Sequence, residues 1–213
     1  TKKSLYDKIL DNIKCSNKDD ICILNKIQEN DDYRELYEMV QQSLKPLKPS
    51  EWIINPKQWA STTNIDNVME QYETAYPEFF YIGAVPIDFD SKYSGSDMCI
   101  VNDLCKLDLR KLWKDGKTKI GVVFNLDPHD KSGSHWVSFY VDFKTAGIYF
   151  FDSTSNEPPK EVKVLMDRIK QQGDKLLLNS NSFRKFSNDN IHDIDDKHCF
   201  RKFYNDKVHQ EKN

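Results

Sequence analysis

The sequence predicts an α+β domain, a small mixed or antiparallel sheet flanked by helices, behind a helical N-terminal region. Three observations carry that expectation. Apolar runs of strand length crowd together between Lys119 and Phe151, separated by short polar breaks. Segments with helical spacing stand on both sides of that block. The composition is that of a folded chain: 213 residues, 38% hydrophobic and 31% charged, with 12 Phe, 10 Tyr and 4 Trp to fill a core.

In order along the chain, residues 1 to about 44 read as helices. "LYDKILDNIKC" and "DYRELYEMVQQSLK" repeat their apolar residues three and four apart, and two aspartates before Tyr33 form an N-cap signal. "KPLKPSEW", with Pro46 and Pro49, reads as a linker, so a helical arm or subdomain over 1–50 precedes a second domain over 51–213. "TNIDNVMEQYETAYP" is a helix capped by Thr63 or Asn64 and ended at Pro77, with Val68, Met69 and Tyr72 on its apolar side. "EFFYIGAVPIDF" is an apolar extended run. The stretch from Asp97 to Trp113 is ambiguous, its second half fitting a helix or a long turn.

Three strands follow: "KIGVVFNL", "HWVSFYVDF" with its two-residue alternation, and "GIYFFDS", joined to the second by a short turn. "PPKEVKVLMDRIKQQGDKLL" is a helix with prolines at its start and Val162, Leu165, Met166 and Ile169 on one face. The polar stretch from Asn179 to Phe203 carries "FRKF" at Phe183 and again at Phe200; two copies make no repeat architecture, and most of it reads as an inserted surface loop. "RKFYNDKVHQ" is a further strand candidate.

Several function classes find no support. With seven Gly, the chain has neither a G-x-x-x-x-G-K nor a G-x-G-x-x-G loop. A net charge of −3, with both signs interspersed, gives no general phosphate-binding surface, so nucleic acid is not indicated. No apolar run approaches the roughly 20 residues of a membrane span. The cysteines, Cys15, Cys22, Cys99, Cys105 and Cys199, are odd in number and irregular in spacing, which predicts free thiols in a reducing, intracellular setting. A Cys15–Cys22 or Cys99–Cys105 bridge stays open, and neither pair has the tight spacing of a zinc site, so no metal is expected.

The chemistry lies in the last two of the three strands. His135 begins one and Asp152 ends the next. Strands joined by a tight turn run antiparallel, which puts these residues at one edge of the sheet, on one face if the turn keeps parity. A carboxylate beside an imidazole fixes its tautomer and stabilises its charged form, the base-and-orienter half of a nucleophilic triad. The plainer reading is a surface histidine and a turn aspartate. The spacing names no nucleophile: Cys199 sits in a charged stretch, and Cys99 and Cys105 lie upstream.

The segment Gly121–Gln172 resembles the polyprotein-processing cysteine proteases of the African swine fever virus type. It is similar, more distantly, to adenovirus protease and the ubiquitin-like-protein proteases. The likeness rests on the strand before His135, the His135–Trp136 pair, the hairpin, the acid closing the next strand, the turn Asn156-Glu157-Pro158-Pro159, and the helix reaching Lys170-Gln171-Gln172. This resemblance implies a papain-like, adenain-like core and a thiol endopeptidase acting near Gly-Gly-x sites without a cofactor. His135 would be its general base, Asp152 the orienting acid, Trp136 a wall of the substrate cleft and Gln210 the oxyanion donor. Its partner would be a protein substrate, either a viral structural precursor or a ubiquitin-like fusion, met in host cytoplasm or virion. The family's cysteine follows the glutamine by six positions, which here falls beyond Asn213, so the chain as given is expected to lack the nucleophile. A non-catalytic binding or scaffold domain that keeps the protease fold is the alternative.

Overall fold

The computed structural model describes residues 46–188 and 199–207. The chain divides into two compact units, residues 1–58 and 59–213. In the first, the described residues form one short helix, α1 (Glu51–Ile54). The helices expected over 1–44 lie outside the described residues, as do Cys15 and Cys22.

The second unit is α+β, as expected. Its sheet is mixed and five-stranded in the order β1 (Phe79–Pro86), β2 (Lys119–Asn125), β3 (Trp136–Asp142), β4 (Gly147–Phe151), β5 (Arg201–Tyr204). β2, β3 and β4 are antiparallel neighbours; β1 lies parallel to β2, and β5 parallel to β4. Connection length accounts for the pattern. Short links reverse the chain, while parallel pairing needs a long crossover, and both parallel pairs are bridged by helices. The helices are α2 (Thr62–Ala75), α3 (Asn102–Cys105), α4 (Leu109–Lys114), α5 (Lys160–Asn179) and α6 (Asn181–Asn188). The ambiguous stretch before β2 thus holds two short helices.

The N-cap of α2 is Ser61, ahead of the expected Thr63 or Asn64. Asn64 occupies the third helical position, where its Oδ1 accepts the Ser61 N–H at 3.0 Å while Ser61 Oγ accepts the Asn64 N–H at 3.2 Å. That reciprocal box satisfies two backbone donors at once. α2 is fastened to β1 by Asp66, whose Oδ1 accepts from the Tyr81 hydroxyl at 2.8 Å and the Ala84 N–H at 2.9 Å.

Alternation puts Ile120, Val122 and Phe124 of β2, Val137, Phe139 and Val141 of β3, and Ile148 and Phe150 of β4 into the core. They cluster with Val162, Leu165, Met166 and Ile169 of α5, the face read from the sequence. The C-terminal stretch departs from the surface-loop expectation. Phe183 and Phe200, the first residues of the two "FRKF" copies, are fully buried and stack on each other at 6.3 Å. Residues 181–188 form α6, and Trp113 meets Phe183 edge-on at 5.0 Å. Gly173 of α5 makes room: a methyl group there would stand 2.3 Å from the Phe200 ring. The expectation of free thiols also fails for one pair, since Cys99 and Cys105 form a disulfide with Cα atoms 6.3 Å apart. Cys199 is free.

Candidate active site

The β3–β4 hairpin pairs Ser138 with Phe151. Continued one step, that register sets Asp152 opposite Val137, with His135 its diagonal neighbour on the same, buried face. Diagonal neighbours are within reach of long side chains. His135 Nε2 and Asp152 Oδ1 are 2.7 Å apart. Asp152 is sealed from solvent at 1% exposure, while His135 keeps 25% of its side chain open. A carboxylate beneath and an open ring above is the arrangement an orienter and a base require.

Asp152 stays charged in this buried position because donors surround it. Its Oδ1 accepts the Thr154 N–H at 2.8 Å and the Thr154 hydroxyl at 2.7 Å, in addition to the imidazole. Burial pushes its pKa up, but the hydrogen bonds from Thr154 and His135 outweigh it and hold the carboxyl below its ordinary range. The main chain of Asp152 is clamped as well. Asn205, just past β5, accepts the Asp152 N–H at 2.9 Å through Oδ1 and donates to the Asp152 carbonyl at 2.7 Å through Nδ2.

The approach to His135 is also built. Asn125, the last residue of β2, accepts the N–H groups of Asp127 at 3.0 Å and Ser134 at 3.2 Å through one oxygen, which folds the loop between β2 and β3. Gly133 in that loop has φ +95°, and a Cβ there would lie 2.3 Å from the Asn125 amide. The Leu126 N–H donates to the His135 carbonyl at 2.9 Å, so the histidine's backbone is paired with the sheet. Trp136 donates its indole N–H to the Ala60 carbonyl at 3.0 Å. Beside it opens a cleft of about 710 Å³, lined among others by Trp59, Ala60, Val85, Ser134 and Trp136.

With Nε2–H donating to Asp152, Nδ1 is the ring nitrogen left to take a proton, and it has no other partner among the described residues. A second pair, unforeseen from the sequence, stands on the cleft: His129 Nδ1 lies 2.6 Å from Asp88 Oδ2, and the His129 N–H donates to Asp88 Oδ1 at 2.9 Å. Its carboxylate is 20% exposed and its imidazole 45%. Water competes for that contact, so the pair is less preorganised than His135–Asp152. Cys199 does not approach either ring from its place in the fold. It precedes β5 at the Gly147 end, and Asp152 lies five residues along the parallel neighbour, about 17 Å at ~3.3 Å per residue. Gln210 lies outside the described residues. Among the described residues no cluster of His, Cys, Asp or Glu is placed to hold a metal ion.

Of the residues that shape the site, Thr154, Asn205, Asn125 and Trp59 were not singled out from the sequence. Only Thr154 left a local signal: Asp-x-Thr is a turn in which the aspartate bonds the N–H two residues on.

No family model matches the chain. A protein of Acanthamoeba polyphaga mimivirus named as a thiol protease is 33% identical over 135 residues, covering 60% of this chain and 42% of its own length. The cysteine protease of African swine fever virus is 32% identical over 117 residues, 51% of this chain and 42% of that protein. From another isolate of the virus, the counterpart bears the name SUMO-1 cysteine protease and is 32% identical over 116 residues, 51% of this chain and 42% of its own length. The match thus spans less than half the length of these relatives. The crystal structure of the African swine fever virus protease aligns with a TM-score of 0.49 at 20% identity, over 83% of this chain and 65% of that one. The likeness to viral cysteine proteases expected from the residues therefore holds at the level of sequence.

Proposed function

We propose that residues 59–207 form the base-bearing core of a cysteine endopeptidase. The observation that carries this reading is the 2.7 Å contact between a partly open imidazole and a sealed carboxylate, beside a cleft walled by Trp59 and Trp136. In the reaction, Nδ1 of His135 takes the proton of a cysteine thiol, and Asp152 holds the resulting imidazolium through Nε2–H. The thiolate attacks the substrate carbonyl, and the carbonyl's developing charge is stabilised by hydrogen-bond donors, the role proposed for the Gln210 amide. One such donor is worth on the order of 100- to 1000-fold in rate. His135 then returns the proton to the leaving amine, and water releases the acyl group by the same path.

β5 leaves the sheet at the Asp152 end, where Asn205 meets it. Cys199, which precedes β5 at its opposite end, is not the thiol of this reaction. Substrates are protein chains with small residues around the cut, a Gly-Gly-x segment threading the cleft. Both viral structural precursors and ubiquitin-like fusions fit that description.

The test uses the natural gene product that carries this sequence, incubated with Gly-Gly-x peptides and with intact ubiquitin-like fusions. Cleavage should stop with His135→Ala and with iodoacetamide. Turnover that survives His135→Ala shows the base to be misassigned. A folded protein that cuts neither substrate class supports a binding domain instead.

A further inference from the structure

We infer that the groove between α4 and the C-terminal half of α5 is an exosite for a short acidic peptide segment. The groove, about 580 Å³, is lined by Arg110 and Lys114 from one side and Lys175 from the other, with Trp113 and Leu176 as its apolar part. The chain carries a net charge of −3, yet three cations face this one recess. Its one lining carboxylate, Asp108, is already engaged: its Oδ1 accepts the N–H groups of Arg110 and Lys111 at 2.9 and 3.1 Å. Among the described residues, none of the three cations is in an ion pair. By contrast Lys117, Lys119, Lys163, Lys170, Arg168 and Lys202 each hold a carboxylate.

The recess is rigid before any ligand arrives, which lowers the ordering cost of binding. Gln172 donates to the Leu107 carbonyl and accepts the Leu109 N–H, both at 2.9 Å, fixing α5 to the start of α4. Trp113 packs against Phe183 and Phe186 of α6 at 5.0 and 5.1 Å. The carbonyl end of α5 would put negative potential beside the groove. Arg184 offsets it, donating to the carbonyls of Leu177 and Leu178, each at 2.9 Å.

A peptide fits this chemistry better than a nucleic acid. Three cations cluster in one short recess on a net acidic chain, whereas a phosphate backbone needs a basic track along its length. Asn179, Ser180 and Ser182 supply the amide and hydroxyl groups that a peptide backbone takes. Gln172 to Asn179 stand 12 to 19 residues past the first residue of α5, about 18–28 Å along the helix at ~1.5 Å per residue. The groove shares no lining residue with the cleft beside Trp136, so its occupancy does not depend on catalysis.

The test titrates the full chain with an N-acetylated hexaglutamate amide at low salt, followed by calorimetry and by the Trp113 indole N–H resonance. Saturable binding is expected, with Trp113 shifting, Trp136 unmoved, and affinity falling as salt rises. Arg110→Glu with Lys175→Glu should weaken it by roughly tenfold or more. Arg110→Gln with Lys175→Gln serves if charge reversal impairs folding. Absence of saturable binding, or equal binding by folded variants, overturns the inference. So does tighter capture of a dodecathymidylate strand, which would make the groove a nucleic-acid site.

Discussion

Thr154→Val isolates what holds the charge on Asp152. The change keeps side-chain volume and the Thr154 N–H bond at 2.8 Å but removes the hydroxyl bond at 2.7 Å. A hydrogen bond to a charged group is worth about 1.5–3 kcal/mol, and Asp152 is 1% exposed, so water does not take the hydroxyl's place. Because three donors share Oδ1, the lower end applies, about 1.5–2 kcal/mol at pH 7. In a unit of this size that lowers Tm by about 3–8 °C. The sign with pH follows from the depressed carboxyl. Its stabilisation is complete above the ordinary carboxylate pKa and is lost as pH falls through the native value. The wild type therefore has more to lose in acid, and the gap between the two proteins should close there. Urea unfolding at neutral pH and at successive acid steps measures the gap, and Thr154→Ser should restore most of it. A gap of constant size from neutral to acid would show the hydroxyl to be mere packing, and the electrostatic account of Asp152 would fail.

The remaining predictions concern the same frame. Gly173→Ala should destabilise by about 1–3 kcal/mol through overpacking, despite alanine's better helix propensity, because the added methyl meets the Phe200 ring at 2.3 Å; thermal unfolding checks the sign. Gly133→Ala should disturb the loop entering His135, since the position has φ +95° and abuts Asn125; faster hydrogen exchange of the Ser134 amide, which donates to Asn125 at 3.2 Å, would report it. Asp152→Asn should preserve more turnover in the natural gene product than Asp152→Ala, because an amide oxygen still orients the ring through Nε2–H; kcat for the two variants decides.

The hairpin was legible because its information is local. Alternation over Trp136–Asp142 and a short turn are enough to bring His135 and Asp152 to one edge. Ser61 was missed because its partner in the capping box is Asn64 in place of the usual Glu or Gln. Phe183 and Phe186 lie three apart, a helical spacing, but Ser, Asn, Arg and Lys around them masked the buried face. Phe200 had no local signal: it is buried because Gly173, on a helix read correctly in isolation, leaves a gap of its shape. The Cys99–Cys105 bridge was open on spacing alone, which does not give the Cα separation, here 6.3 Å and within the range a bridge spans.

Asn205 shows why a hairpin alone does not make this site. An aspartate ending a strand is ordinarily a solvated turn residue, and its charge is then screened from a neighbouring imidazole. Here the side-chain amide of Asn205 takes both backbone groups of Asp152, extending the β4–β5 ladder past Tyr204 by a side chain in place of the main chain. β5 itself is a four-residue edge strand, too short to hold by its own ladder. It is anchored at entry by the buried Phe200 and at exit by Asn205. The backbone of Asp152, from which its carboxylate reaches His135, is thus held by a residue 53 positions downstream. The hairpin supplies proximity, and the returning strand fixes the backbone of Asp152, so that its carboxylate meets Nε2–H of His135 in one geometry.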